Sequence, residues 1–237
     1  MSRFSRVIGL ASGLLLMGAG FASAGRLIGS PLTLGFAPNN FGPIATNITN
    51  FAFAQSIPAA NEFAIFQTHD PWGATVVKSA ITGAGHTWTV FTPAQLAGFP
   101  FNTYRVVVLN WDDTLITAFN GPYTAAIPAL QTYINAGGVV WVQGSIQGAA
   151  GDSYPLPFGG TMTWDLQPSN FIVDPASPMM IGIGNPINGN FASHARVGTP
   201  LPPSAHVVCS VGTTAGGPTT LYDLISVPVE LQAFTVE

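Results

Sequence analysis

The chain has 237 residues, of which 7% are charged and 47% are hydrophobic, and its formal net charge at pH 7 is −4. Globular domains typically carry about 25% charged residues, so this composition predicts a nearly neutral surface rich in amides and hydroxyls. Only six residues are lysine or arginine, which leaves no basic stripe for a phosphate backbone and argues against nucleic-acid binding. The single cysteine, Cys209, excludes an intramolecular disulfide and a cysteine-based zinc site.

The N-terminus has the pattern of a secretory signal peptide. Residues 1–6 contain two arginines and no acid, residues 7–21 are apolar or small, and Ala22, Ser23 and Ala24 supply the small residues that a signal peptidase requires. We therefore expect a signal peptide at residues 1–24, cleavage after Ala24, and a secreted or periplasmic protein. The apolar run of 15 residues is shorter than the roughly 20 residues that cross a bilayer, so we expect no membrane span after cleavage.

Residues 25–61 are rich in asparagine, proline and glycine, which predicts an irregular extension or a few strands lying against the main body. From Glu62 onward, strand and helix patterns alternate. The predicted elements are a strand at 63–66, a helix at 73–84, strands at 87–91 and 104–110, a helix at 122–136 and a strand at 139–143.

This alternation predicts an α/β fold with a doubly wound, mostly parallel sheet. Later strand patterns at 161–173, 207–211 and 220–224 predict extra β segments in the C-terminal third. Residues 62–224 would form the domain, and residues 225–237 a C-terminal tail.

Several segments, in this order, resemble the class I glutamine-amidotransferase-like superfamily. They include YRVVVLNWDD, LQTYINAGGVVWVQGS and NGNFASHARVGTPLPPSAHVV, and the likeness covers about residues 62–224. The resemblance implies a flavodoxin-like sheet and a relationship to ThuA-type and exported bacterial members. Catalytic members have a cysteine at the turn after the strand that begins here at Val139, and this chain has Ile146 at that place. The resemblance thus implies a member that does not hydrolyse glutamine.

Polar and aromatic residues gather where the predicted strands end. In an open α/β sheet the ligand crevice lies beyond the carboxyl ends of the strands, so side chains that follow neighbouring strands should meet there. The predicted binding residues at these strand ends are His69, Asp70, Trp72, Trp111, Asp112 and Ser145, and Ser193 and His194 join them from a predicted loop rich in glycine and asparagine. Structural alternatives remain open: Asp70 or Asp113 capping a helix or turn, Ser145 bonding turn amides, and the tryptophans closing the core.

Two functions are compatible with these residues. The first is an exported, noncatalytic module with a binding or structural role, whose ligand would be a small molecule or a glycan stacked on tryptophan. The second is a secreted hydrolase acting on a carbohydrate or amide, with Ser145 activated by His69 or His194 and an aspartate, or with water activated by His194. No motif predicts a metal site or a dinucleotide cofactor, and the sequence does not indicate an oligomeric state.

Overall fold

The computed structural model describes residues 24–113, 116–146, 153–198 and 200–226. Most of the predicted signal peptide and of the predicted tail, residues 1–23 and 227–237, lies outside the described residues. The strands are β1 (Arg26–Ser30), β2 (Asn61–Phe66), β3 (Trp88–Phe91), β4 (Tyr104–Trp111), β5 (Val139–Gly144), β6 (Ser153–Pro155), β7 (Thr161–Ile172), β8 (Ile187–Gly198), β9 (Ala205–Val211) and β10 (Thr219–Ile225). The α-helices are α1 (Gly42–Gln55), α2 (Val76–Gly83) and α3 (Ile116–Asn135).

One half of the sheet is parallel, with its strands in the order β3-β2-β4-β5-β1. Strands predicted at 63–66, 87–91, 104–110 and 139–143 are confirmed here, with small shifts at their ends. Helices α1 and α2 contribute to the hydrophobic cluster on one face of these strands, and α3 contributes to the cluster on the other. This double cover explains why the valine-rich run of β4 is fully buried from 106 to 109.

The other half is antiparallel and closes on itself. β10 pairs with β1 and continues the sheet through β8, β7 and β6. β9 pairs with both β10 and β7, so that β7, β8, β10 and β9 form a closed ring, a small barrel.

The predicted doubly wound, mostly parallel, flavodoxin-like α/β fold is therefore wrong. Strand residues make up 37% of the structure and helix residues 29%, and the described chain after β5 contains no α-helix. A parallel strand requires a long crossover, usually a helix, whereas short connections produce antiparallel neighbours. The sequence pattern identified β7, β9 and β10 but missed β6 and β8, and it did not indicate how the later strands pair.

The segment from 25 to 61, predicted as an irregular extension or a few strands, contains one strand and one α-helix. It contains β1, which lies between β5 and β10 and joins the two halves of the sheet, and the 14-residue helix α1. Helix α3 begins at Ile116 instead of the predicted Pro122, and it contains two prolines. Within the described residues, no helix is long and apolar enough to span a membrane.

Candidate functional site

The carboxyl ends of β2, β4, β5 and β1 lie at one edge of the sheet. His69, Asp70 and Trp72 follow β2 at this edge, and Asp112 follows β4. His194 was predicted in a loop but lies in β8. Its backbone N–H donates to the Pro31 carbonyl oxygen just after β1, which brings His194 to the same edge.

Five residues form a continuous hydrogen-bonded chain across this edge, which we call the histidine–aspartate chain. The Nε2 of His69 lies 2.7 Å from Asp112 Oδ2, which also accepts the Trp72 backbone N–H at 2.9 Å. The Trp72 indole N–H donates to Asp113 Oδ1 at 3.2 Å, and His194 Nδ1 lies 2.9 Å from Asp113 Oδ2. Trp72 thus links the two aspartates, each of which holds one histidine.

The carboxylates fix the orientation of both imidazole rings. An ionised carboxylate only accepts hydrogen bonds, so Nε2 of His69 and Nδ1 of His194 are the donors. The Nδ1 of His69 lies 3.0 Å from the Thr68 hydroxyl. The Nε2 of His194 is buried and has no hydrogen-bond partner among the described residues. His194 is therefore held as a packed, oriented ring, and its second nitrogen does not reach the surface.

Aromatic rings surround His194 in a group that we call the aromatic cluster: Phe36, Trp72 and Phe191. The Trp72 and Phe191 ring centroids lie 5.8 and 5.3 Å from the imidazole centroid, both edge to face. Phe36 contacts Trp72 edge to face at 6.2 Å. Phe36 and Trp72 are half-buried and Phe191 is 41% exposed, so the cluster presents apolar surface to the outside.

Two members of the aromatic cluster have a left-handed backbone conformation. Trp72 has φ 50° and ψ 27°, and Phe191 has φ 57°. This region costs a residue other than glycine about 1–3 kcal/mol. The two aspartates hold Trp72, while the Phe191 carbonyl oxygen accepts hydrogen bonds from the Thr33 hydroxyl at 2.6 Å and the Asn39 amide at 3.2 Å.

Asp70 lies beside the chain but does not cap the short helical turn that follows it. Its Oδ1 accepts the Gln67 amide at 2.7 Å and pairs with Lys78 Nζ at 2.6 Å. Partial burial alone would raise the pKa of Asp70, but the hydrogen bonds from Lys78 and Gln67 and the charge of Lys78 lower it below its ordinary value. Asp70 is thus an ionised, paired residue at the rim.

Three predicted binding residues are buried away from the surface. Trp111 packs against Phe119 with ring centroids 4.9 Å apart, and its indole N–H donates to the Ser145 carbonyl oxygen at 2.9 Å. The Ser145 hydroxyl is fully buried and makes no hydrogen bond to a described residue, so it meets neither histidine. Ser193 is fully buried, and its hydroxyl donates to Asn170 Oδ1 at 3.2 Å.

Sequence reasoning missed Phe36, Phe191 and Lys78. Phe36 follows β1, a strand that the composition of residues 25–61 concealed. Phe191 lies three residues before His194 in a segment whose glycine and asparagines suggested a loop. The sequence signal for β8 would have been an alternation of apolar and polar residues from Ile187 to Gly198. This signal is weak, because buried and exposed residues do not alternate regularly in that strand.

Within the described part of the chain, no group of three or more histidine, cysteine, aspartate or glutamate side chains is placed to hold a metal ion. Comparison with protein-family models, curated proteins and solved structures finds no match for the chain. The resemblance to the amidotransferase-like superfamily consequently stays a prediction from sequence. Ile146, at the place of the superfamily's nucleophile, is fully buried in the core.

Proposed function

We propose that the chain is an exported, noncatalytic binding module whose aromatic cluster binds a neutral polyhydroxylated ligand, such as a glycan. The observation that carries this proposal is the placement of Trp72. Its strained backbone and its indole are both held by aspartates of the histidine–aspartate chain, while the residue remains only partly buried. Backbone strain of this kind persists where the surroundings impose it, commonly at ligand sites.

The aromatic cluster has the properties that stacking on a sugar ring requires. Aromatic rings offer large, rigid apolar faces, and polar groups nearby can bond hydroxyls at the edges of a sugar. Phe191 is 41% exposed, and the His69 imidazole is 37% exposed. A pre-positioned ring loses little conformational entropy when a ligand binds, because its orientation is already fixed.

The charges of this edge favour a neutral ligand. Asp70 is paired with Lys78, Asp112 with His69, and Asp113 with His194. Each carboxylate is thus already bonded to a basic side chain of the protein. A ligand would meet aromatic faces and paired polar groups at this edge.

The arrangement gives no support to the hydrolase that the sequence left open. The predicted mechanism needs the Ser145 hydroxyl within hydrogen-bonding distance of a histidine, or a His194 ring nitrogen able to contact water. The Ser145 hydroxyl and the His194 Nε2 are both buried, without a hydrogen bond to any described residue. Binding without catalysis is the function that these positions support.

In the test, the chain beginning at Gly25 is titrated with cello-, chito- and malto-oligosaccharides, and NMR chemical shifts report the binding. We expect saturable binding to one of these series, and Phe191→Ala should weaken it at least about tenfold, corresponding to 1.4 kcal/mol. Ile225→Ala is the matched control, because Ile225 is also 41% exposed but pairs with Arg26 at the opposite end of β1. The control should bind as the wild type does.

Three results would contradict parts of this proposal. Binding that survives Phe191→Ala, or no saturable binding to any of the three series, would remove the aromatic cluster as the glycan site. Release of new reducing ends by the wild-type chain would identify a hydrolase. Export is tested separately by N-terminal sequencing of the chain recovered outside the cytoplasm, which should begin at Gly25.

A further inference from the structure

A cavity lies against the closed antiparallel half of the sheet. Its volume is about 450 Å³, and it shares no lining residue with the aromatic cluster. It is lined by Thr163 of β7, by Arg196, Val197 and Gly198 of β8, and by Gly216, Gly217 and Pro218 in the turn between β9 and β10. Arg196 is the only charged residue among the described residues of this lining.

Arg196 differs from the other basic side chains of the described residues. Arg26 and Lys78 bond to aspartates, and Arg105 donates to the hydroxyl and the backbone of Ser56. The guanidinium of Arg196 makes no hydrogen bond within the described ranges, and its side chain is 44% exposed. Only 7% of the residues in this chain are charged. An arginine that lies beside a cavity and makes no hydrogen bond to the described residues is therefore the clearest feature that the proposed glycan site does not explain.

The nearest carboxylate does not occupy the guanidinium. Asp165 Oδ2 lies 3.6 Å from Arg196 Nε, too far for a hydrogen bond. The other oxygen, Oδ1, accepts the Gln167 amide at 2.7 Å. Asp165 therefore lies on the Nε side of Arg196, and the two terminal nitrogens of the guanidinium make no hydrogen bond to it.

The glycine turn that borders the cavity packs its backbone closely against the end of β9. Gly216 has φ 101°, and a Cβ on Gly217 would lie 2.2 Å from the Val211 carbonyl oxygen. No backbone hydrogen bond between described residues uses the N–H of Gly216 or Gly217. Successive backbone N–H groups in a turn of this kind commonly bind anions.

We propose that this cavity binds an oxyanion, a carboxylate or a phosphate group, through the Arg196 guanidinium and the amides of Gly216 and Gly217. A guanidinium binds two oxygens of such a group with two parallel hydrogen bonds, which a lysine ammonium does not reproduce. The Thr163 hydroxyl, opposite Arg196 in the β7–β8 register, supplies a further donor. The site is independent of the proposed glycan site and can be tested without knowing its ligand.

The experiment titrates the chain with inorganic phosphate and, separately, with acetate at constant ionic strength maintained by chloride. NMR follows the Nε–H of Arg196 and the amides of Gly216 and Gly217. Saturable shifts of all three signals are expected with at least one probe, and comparison of the two probes distinguishes phosphate from carboxylate. Arg196→Gln should weaken binding at least about tenfold, and Arg196→Lys should recover only part of it.

Asp165→Asn provides a variant with an effect of opposite sign. It removes a negative charge beside the site and keeps the shape, so it should tighten oxyanion binding severalfold. Shifts of the Gly216 and Gly217 amides that persist in Arg196→Gln would overturn the proposal. The proposal would also be overturned if Arg196→Lys bound the oxyanion as tightly as the wild type and Asp165→Asn did not change the affinity. Unchanged far-UV circular dichroism of each variant establishes that the fold is intact.

Discussion

The conformation of Trp72 depends on residues that are distant in the chain. The sequence places it in a turn after β2, where a proline precedes it and a glycine follows. Its left-handed backbone is imposed by Asp112, 40 residues later, through the hydrogen bond to the Trp72 N–H. The turn was predictable from local sequence, whereas the direction of the indole was not.

Asp70 provides a prediction at the same scale, because Lys78 contributes to its lowered pKa. A carboxyl group whose pKa is lower in the folded state stabilises the fold above its unfolded pKa of about 3.9, and this stabilisation is lost as the pH falls through the folded value. We expect Lys78→Gln to raise the pKa of Asp70 and to remove less than about 1 kcal/mol at pH 7, as for a partly exposed pair. NMR titration of the carboxyl carbon and urea unfolding measure the two effects.

Glu62 is the internal control for this titration. Its pKa is lowered chiefly by hydrogen bonds from the backbone and side chain of Thr87, with a smaller contribution from His86. Lys78 is not among these causes, so Lys78→Gln should leave the Glu62 titration unchanged. If Asp70 titrates in Lys78→Gln as it does in the wild type, Lys78 does not lower the pKa of Asp70.

At the scale of elements, β5 and α3 contain glycines with opposite roles. A Cβ on Gly144, the last residue of β5, would lie 2.2 Å from the Trp111 ring, whereas one on Gly121 in α3 meets nothing within 4 Å. Gly144→Ala should destabilise the protein by about 1–3 kcal/mol through overpacking. Gly121→Ala should change stability by less than about 1 kcal/mol, because the helix propensity of alanine is opposed by the clash of its Cβ with the ring of Pro122.

Urea unfolding of the two alanine variants measures both effects. If Gly144→Ala unfolds at the wild-type midpoint, the close packing of Trp111 against β5 is incorrect. If Gly121→Ala destabilises the protein as much as Gly144→Ala does, the position is not an open site inside a helix. Unequal effects of the same substitution would show that a general effect of alanine is an insufficient explanation.

At the scale of the molecule, β1 joins the parallel and antiparallel halves. It pairs in parallel with β5 over five residues and antiparallel with β10 over four. Unfolding of either half would break one of these ladders and expose buried residues such as Leu27 and Ile28. We therefore expect one cooperative unfolding transition.

The described α-helices all come before β5 in the chain and belong to the parallel half. Two probes can therefore follow the unfolding of the two halves separately. Far-UV circular dichroism follows the helices, and hydrogen exchange of β7, β8 and β9 amides follows the closed strands. The two should give the same free energy of unfolding. Loss of protection in the closed strands while the helical signal persists would show two independent units instead.

The sequence by itself determined strands β2, β3, β4 and β5 of the parallel half and the grouping of His69, Asp70, Trp72 and Asp112. A buried strand leaves a continuous β-branched run in the sequence, and neighbouring parallel strands end at one edge, so local patterns carried both conclusions. The predicted signal peptide depends on the N-terminal pattern alone and stays a prediction.

Only the tertiary structure decided the pairing of the later strands, the central place of β1, and the burial of Trp111, Ser145 and Ser193. A strand pattern does not specify its partner, because pairing depends on residues far apart in the chain: Arg26 lies opposite Ile225 in the β1–β10 ladder. For the same reason, the sequence could place Ser145 and His194 near one edge but could not show that the Ser145 hydroxyl and His194 Nε2 are buried.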